Sequence, residues 1–292
     1  MKQFSKVCLA MAACGTLTLS NPSFALNILL TNDDSWDTTN IQVMKSTLEA
    51  AGHDVIMSAP CTGQSGKGGA MTFLKPVSVD ETQSADQEYC VGDTDTSVAF
   101  SSFAEGTPVM AAIYGIDVAA QAVWGQDPDL VISGPNEGNN LGYMNNNSGT
   151  LGAAMISLSR GIPAIAVSAN SNTPEEMNNT LGYKFTDVGW NGGGALLKFS
   201  DDLSTDSTAL YYTMQSLIAG GMTSEEAQAA ATSALSGKQG LTFTTGDAGD
   251  SSEDSEGVAV NEGYITISTI DGNVQAARGK VALVGQRLIG LE

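Results

Sequence analysis

Two adjacent carboxylates, Asp33 and Asp34, follow Asn32 just beyond a short apolar run, Leu26-Asn27-Ile28-Leu29-Leu30. Neighbouring carboxylates repel and are stable together only when solvated or when a cation lies between them. On a regular strand the two side chains would face opposite ways, so both reach one ion only if the backbone turns here. Two other loops carry neutral oxygen donors: Gln64-Ser65-Gly66, in a Gly/Ser stretch, and Ser133 to Gly142, in which Asn136 offers an amide carbonyl. Ser148-Gly149-Thr150 then opens a helical pattern. It would present free backbone N–H groups and two hydroxyls, which favours an anion such as phosphate. Singly, each feature is ordinary: an acidic turn, a flexible loop, a helix cap. Together, Asp33, Asp34, Ser65 and Asn136 supply oxygen only, which selects Mg²⁺, Mn²⁺ or Ca²⁺ over zinc or copper. An anion site beside a divalent cation is what phosphate ester hydrolysis requires.

The elements that must position these loops read as an open α/β unit. Leu26 to Leu30 is a buried strand. In Thr39 to Ala51, Ile41, Met44, Leu48 and Ala51 share a helix face, with Gly52 as a stop. Val55 to Ala59 is a second buried strand, so the first thirty residues of the unit make a strand-helix-strand crossover and a parallel sheet. Met71–Val79 and Tyr89–Val91 look extended. Pro108–Trp124 reads as a helix, Leu130–Ser133 as a strand, Gly134–Asn147 as a long loop, Ser148–Arg160 as a helix and Ala164–Ser168 as a strand. Residues 26–170 therefore form a Rossmann-like, mostly parallel sheet with ligand chemistry at the carboxyl ends of its strands. Residues 171–292 form a smaller, variable α+β part: helical patterns at 206–219 and 224–236, with Ser224 as N-cap and Gly237 as C′ residue, and a strand at Tyr264–Ser268. The acidic stretch 246–256 lacks the ligand spacing of a calcium loop and reads as solvated.

Composition narrows the function. The chain has 292 residues, 42% hydrophobic, with net charge −20 and a single histidine, His53. So acidic a surface repels duplex nucleic acid. One histidine and four cysteines make a zinc enzyme improbable, and no Gly-x-Ser-x-Gly elbow is present for a serine hydrolase. His53 reads as a surface turn residue; Trp36 could stack on a base or pack in the core.

Residues 1–25 have a basic start (Lys2, Lys6), an apolar run from Val7 to Leu19 and a small-x-small end at Ser23-Phe24-Ala25. This is the pattern of a secretory signal peptide, too short to span a membrane as a helix. A weaker alternative makes Cys14 the lipid-modified cysteine of a lipoprotein. The mature chain, from Leu26, is then expected to be exported, periplasmic or secreted, without membrane attachment. Its two cysteines, Cys61 and Cys90, either pair or remain free thiols.

In this order the motifs resemble the SurE-type survival nucleotidases, metal-dependent phosphatases of nucleoside monophosphates. The matching stretches are ILLTNDDS (28–35), SAPCTGQSG (58–66) with MT (71–72), EGTP (105–108), PDLVISGPNEGNNLG (128–142), SGTLGAAMISLSRGIPAIAVS (148–168) and EGYITIS (262–268). The resemblance implies Asp33, Asp34, Ser65 and Asn136 as ligands of one divalent cation, with Asp33 and Asp34 also catalytic. It implies Asn32, Asn140, Ser148, Gly149 and Thr150 around the substrate phosphate, a nucleotide substrate cleaved at its 5′- or 3′-phosphate, and a homodimer or homotetramer. Three departures stand out. Ser35-Trp36 follow the aspartates where the family usually has Gly and then an aromatic or aliphatic residue. Cys61-Thr62 replace an Asp-Arg pair, removing a cation near the phosphate. Val109-Met110-Ala111 replace the usual Asp-Cys. The alternatives these leave open are an exported nucleotide- or phosphate-binding protein without turnover, and a phosphatase of polyphosphate or sugar phosphates.

Overall fold

The apolar runs become strands buried on both faces. In β1 (Asn27–Thr31), Ile28 and Leu30 point to one side and Leu29 to the other, as the two-residue period of a strand requires. On one face Leu29 joins Ile56, Val131, Ile116, Ala119 and Ala120. On the other, Ile28 and Leu30 join Val55, Met57, Ile132 and Ile41, with Trp36, Met44 and Leu48 packed against them. Trp36 thus serves the core. The computed structural model describes residues 25–92, 105–169, 180–246 and 249–272. Residues 1–24, including Cys14 and most of the segment read above as a signal peptide, lie outside the described residues.

The chain runs from β1 through α1 (Thr39–Ala50), β2 (Asp54–Pro60), β3 (Val79–Asp80), β4 (Glu88–Val91), α2 (Pro108–Tyr114), α3 (Ala120–Val123), β5 (Leu130–Glu137), α4 (Gly149–Ser159) and β6 (Ala164–Ala169). A π-helical turn, Gly115–Ala119, joins α2 to α3, so the helix expected over 108–124 is present as one stretch with a wider turn inside it. The six-stranded sheet has the order β3-β4-β2-β1-β5-β6. Its pairs are parallel except for β3, which runs antiparallel to β4 at the edge. Helix α1 covers one face and α2–α3 the other, with α4 against α2, β5 and β6.

Four expectations need correction. Only Val79–Asp80 of the extended 71–79 stretch pairs in the sheet. Strand β5 does not stop at Ser133 but continues through the cis Gly134–Pro135 bond to Glu137, with a register shift against β6 between Ser133 and Asn136. His53 is half-buried, and its Nδ1 accepts the Leu26 backbone N–H at 3.2 Å, tying down the start of β1. The N-cap of the 224–235 helix is Thr223, which forms a capping box with Glu226, so Ser224 is the first helical residue.

Beyond β6 the chain forms β7 (Tyr183–Thr186), β8 (Ala195–Ser200), α5 (Ser207–Ala219), α6 (Ser224–Leu235), β9 (Gly240–Thr245), α7 (Glu256–Asn261) and β10 (Ile265–Ser268). β7 pairs with β10 in parallel, and β8 pairs with β9 antiparallel. Carboxylates organise this part: Asp206 caps α5 and also accepts from Thr242 Oγ1 at 2.7 Å. No described helix is long and apolar enough to cross a membrane.

Cys61 and Cys90 are joined in a disulfide, with their Cα atoms 4.7 Å apart across the neighbouring ends of β2 and β4. Closing 29 positions of chain should stabilise the fold by about 3–4 kcal/mol by chain entropy. The double variant Cys61→Ser/Cys90→Ser is expected to show a correspondingly lower urea midpoint, with a somewhat steeper slope because the unfolded chain without the cross-link is more expanded. An unchanged midpoint would mean that the bond contributes nothing to stability.

Candidate active site

The carboxyl edge of the sheet gathers the predicted residues. Thr31 at the end of β1 lies in register with Ser133 of β5, so Asn32-Asp33-Asp34 leave the sheet beside Gly134-Pro135-Asn136, where β5 runs on past the end of β1. The chain turns directly after the aspartates. Ser35 has a φ of +116°, and the Asn32 side-chain amide donates to the Ser35 carbonyl at 2.8 Å. That turn is what lets two consecutive side chains serve one site. The loop after β2 closes over it: the Gln64 N–H donates to the Asp33 carbonyl at 2.7 Å. Ser65, the next residue, is exposed.

Asp33 is almost fully buried. Its Oδ1 accepts the Thr150 hydroxyl at 2.7 Å, and Thr150 Oγ1 in turn accepts from Asn140 Nδ2 at 3.4 Å. Asn140 also donates to Ser168 Oγ at 3.0 Å. Burial pushes the Asp33 carboxyl above its usual range, against the hydrogen bonds from Thr150 and from the backbone of Gly149 and Thr150, which pull it down. Asp34 is half-buried, and its Oδ2 accepts the Glu137 N–H at 2.7 Å, a bond that exists because β5 extends to that residue. Burial pushes Asp34 up to about 6, with the neighbouring Asp33 and Glu137 charges adding to the rise. Asn136 is buried, and its Nδ2 donates to the Gly138 carbonyl at 2.8 Å, leaving its carbonyl oxygen as a donor atom for a cation.

Helix α4 begins against this cluster. Ser148 is its N-cap, and its Oγ accepts the Leu151 N–H at 3.1 Å. Gly149 leaves no room for a side chain. A Cβ there would sit 2.8 Å from Asp33 Cβ, 2.9 Å from Asp33 Oδ2 and 2.9 Å from Pro108 Cγ. One turn on, a Cβ on Gly152 would lie 2.2 Å from the Gly68 carbonyl, so α4 also fits tightly against the 60–70 loop.

The lining suits a hard cation. Thr31 Oγ1, Asn32 Oδ1, Gln64 Oε1 and Ser133 Oγ are buried without a hydrogen-bond partner, and all lie on or beside the strand ends that carry the two aspartates. Unpartnered buried oxygens are costly unless an ion or water uses them. Among the described residues no three His, Cys, Asp or Glu side chains group as metal ligands, so a cation here must draw on neutral oxygens as well.

Sequence reasoning misses Glu256, because it ends an acidic run that reads as solvated. It is buried, and its Oε1 accepts from Gly142 N at 2.8 Å and Asn145 Nδ2 at 2.7 Å, while Oε2 accepts from Ser268 Oγ at 2.7 Å. It anchors the loop between β5 and α4 to the β10 end of the chain. Asp250, in the same run, accepts from the Trp190 and Ser252 N–H groups. The only hint in sequence is that the apolar residues of α7 start directly after Glu256.

The raised Asp34 has a consequence for stability without a cation. Its carboxyl holds a proton more tightly in the folded chain than at the unfolded value of 3.8, so the fold binds more protons than the unfolded chain between about pH 4 and 6. Stability should therefore fall as pH rises through that window, by about 1–2 kcal/mol after allowance for solvent screening of a half-exposed group. In EDTA the melting temperature of the wild type is expected to drop relative to Asp34→Asn between pH 4 and 6. Parallel profiles for the two proteins would rule this out.

The carboxyl edge of this Rossmann-like sheet thus sets a cluster of oxygen side chains against the start of a helix. The chain belongs to the SurE family: residues 28–190 match the family model described as survival protein SurE. It is 37% identical over 162 residues to the 5′-nucleotidase SurE of Methanosphaera stadtmanae, covering 56% of this chain and 57% of that one. It is 31% identical over 206 residues to the 5′-nucleotidase SurE of Paramagnetospirillum magneticum (68% and 72%), and 38% identical over 161 residues to an acid phosphatase of Yarrowia lipolytica (53% and 44%). The matched segment thus spans about half the length of the first and last of these. In fold it is similar to the SurE protein of Aquifex aeolicus, with a TM-score of 0.60 at 22% identity, over 89% of this chain and 99% of the other.

Proposed function

We propose that this chain is a divalent-metal-dependent phosphomonoesterase that hydrolyses nucleoside 5′- or 3′-monophosphates to nucleoside and phosphate. The observation that carries the reading is the contact between Asp33 and the start of α4: the Thr150 hydroxyl bonds Asp33, and Gly149 is packed on it. A cation-binding carboxylate and an anion-binding helix end are thereby one hydrogen bond apart. The relatives named 5′-nucleotidase and acid phosphatase support the same chemistry.

In this reading Asp33, Asp34, Ser65 and Asn136 hold one Mg²⁺ or Mn²⁺ per chain, with Ca²⁺ compatible with the same oxygens. When bound, the ion supplies Lewis-acid polarisation of a phosphoryl oxygen and a more acidic water. The start of α4 at Ser148, Gly149 and Thr150 turns its positive end to the phosphoryl group, with the Gly149 and Thr150 N–H groups bonding Asp33 until the phosphoryl oxygens share them, and Asn32 and Asn140 complete the cradle. Asp33 is fixed by Thr150. Asp34, half exposed, is the carboxylate that a water can reach, and it orients the attacking water for proton removal. Purified protein from Leu26 is expected to release phosphate from AMP with Mg²⁺ or Mn²⁺ and to stop in EDTA. Activity surviving exhaustive chelation would overturn the metal dependence, and a folded, metal-binding protein without turnover would favour a binding role.

Two further properties belong to the reading. The exposed Tyr183, Phe185, Phe199, Tyr211, Tyr212 and Leu241 after β6 form apolar surface suited to a homodimer or homotetramer. A monomeric mass by light scattering at micromolar concentration would refute it. Export is supported by the leader pattern and by the disulfide, and it requires that the N-terminus of protein from fractionated cells be Leu26.

A further inference from the structure

Ser65 is the weakest-held of the proposed ligands: it is exposed, on a loop containing Gly63, Gly66, Gly68 and Gly69. Such a loop loses much freedom when a ligand is fixed, and anchoring it beforehand lowers that cost. Beside Ser65 the Gln64 N–H donates to the Asp33 carbonyl at 2.7 Å. The far end of the loop is held by the Lys67–Glu105 ion pair at 2.8 Å and by the Thr107 hydroxyl on the Ala70 carbonyl at 2.6 Å. The remaining anchors are on its amino-terminal side. The Cys61 N–H donates to the Val91 carbonyl at 3.0 Å, and the disulfide holds Cys61 to Cys90. The Trp36 N–H donates to the Pro60 carbonyl at 3.1 Å. The Ser35 hydroxyl, directly after the aspartates, lies 2.8 Å from Asp37 Oδ1 and 3.1 Å from the Cys61 carbonyl, and its one proton serves both. Ser35 is buried and holds a φ of +116°, where a glycine would be relaxed and a serine is strained. A strained backbone position persists where its surroundings over-determine it. Here those surroundings are the aspartate turn on one side and the disulfide-anchored loop on the other.

We infer that Ser35 and the Cys61–Cys90 disulfide are positioning residues that jointly clamp the Ser65 loop against the Asp33–Asp34 turn, so that cation affinity depends on the disulfide and is highest in oxidising surroundings. The inference rests on the proposed ligand role of Ser65. It assigns a role to two of the departures from the family pattern, Ser35 and Cys61. Neither group touches substrate. Each acts through the placement of the loop.

The test is Mn²⁺ titration followed by electron paramagnetic resonance, with thermal melts, on wild type, Ser35→Gly, Cys61→Ser/Cys90→Ser and phosphine-reduced wild type. In the reduction the disulfide takes up two electrons and two protons to give two thiols, while the phosphine and one water become the phosphine oxide. Ser35→Gly relieves the backbone strain, so its melting temperature is expected to stay level or rise while its Mn²⁺ Kd weakens about tenfold, the lower range for loss of a group supporting a metal ligand. Opening the disulfide is expected to weaken Kd similarly, and combining it with Ser35→Gly to add little, because both act on one loop. Wild-type affinity in Ser35→Gly, with Mn²⁺ bound normally by the wild type, would overturn the inference and leave the proposed function standing. Absence of Mn²⁺ binding by the wild type would instead remove the metal reading and this inference with it. If the double cysteine variant does not fold, Ser35→Gly and the reduced wild type decide the matter.

Discussion

Replacing Asp33 by Asn is expected to lower kcat/KM for AMP by a factor on the order of 10³, while the metal-free protein melts at the same temperature or higher. The two effects have one origin. Asp33 is 3% exposed, and burial raises its carboxyl above the usual range, so its charge is held at a cost to the fold. The replacement amide is close in shape to the carboxylate and can still accept the Thr150 hydroxyl, while its NH2 group faces the Gly149 and Thr150 N–H groups, which offsets part of the gain from losing a buried charge. What disappears is half of the adjacent carboxylate pair, and with it most of the attraction for a divalent cation. The measurements are phosphate release over a Mg²⁺ titration and a thermal melt in EDTA. Activity within tenfold of wild type would remove Asp33 from the reaction. A loss of activity that tracks a large drop in melting temperature would make it a structural residue only.

The parts of this site that can be read from the sequence are those where a buried strand ends in polar residues. β1, β2 and the start of β5 are apolar on both faces, so each announces itself as an unbroken run, and the polar residues that follow mark the sheet edge. Asp33, Asp34 and Asn136 are legible that way, Gly149 and Thr150 as the opening of a helix, and the structure brings them together. The parts that stay hidden depend on contacts between segments far apart in the chain. The extension of β5 through Gly134–Pro135 looks like a loop, because Gly and Pro are loop residues by composition. Only pairing with β6 makes it a strand and brings the Glu137 N–H to Asp34. Glu256 lies in an acidic run in which every carboxylate looks solvated, and it is set apart only by its partners on the Gly142–Asn147 turn. Thr150 is legible as part of a helix start, but its bond to Asp33 is not. Pairing of Cys61 with Cys90 cannot be decided from spacing, because it needs β4 to lie beside β2.

Gly149→Ala tests the junction between the cation and anion halves of the site. In an exposed helix the exchange would favour folding by up to about 1 kcal/mol, because alanine is the better helix former. Here the added carbon meets Asp33 on one side at 2.8 and 2.9 Å and Pro108 Cγ on the other at 2.9 Å. Pro108 is the first residue of α2, capped by Thr107, whose hydroxyl donates to the Ala70 carbonyl at 2.6 Å, so that side is rigid. Asp33 is held by Thr150 and by Gln64 on its backbone. Neither neighbour is a free side-chain end, so α4 must shift away or Asp33 must turn out. Overpacking of this kind costs about 1–3 kcal/mol, which outweighs the propensity gain, so the variant should be less stable than wild type. A displacement near 1 Å between the carboxylate and the helix N–H groups should lower kcat/KM about 10²-fold. The same exchange at Gly161, where a Cβ meets nothing within 4 Å but φ is +80°, should cost some stability through backbone strain and leave kcat unchanged. If Gly149→Ala kept both its melting temperature and its turnover, α4 would not be seated on Asp33 as described, and the helix start could not be the phosphate half of this site.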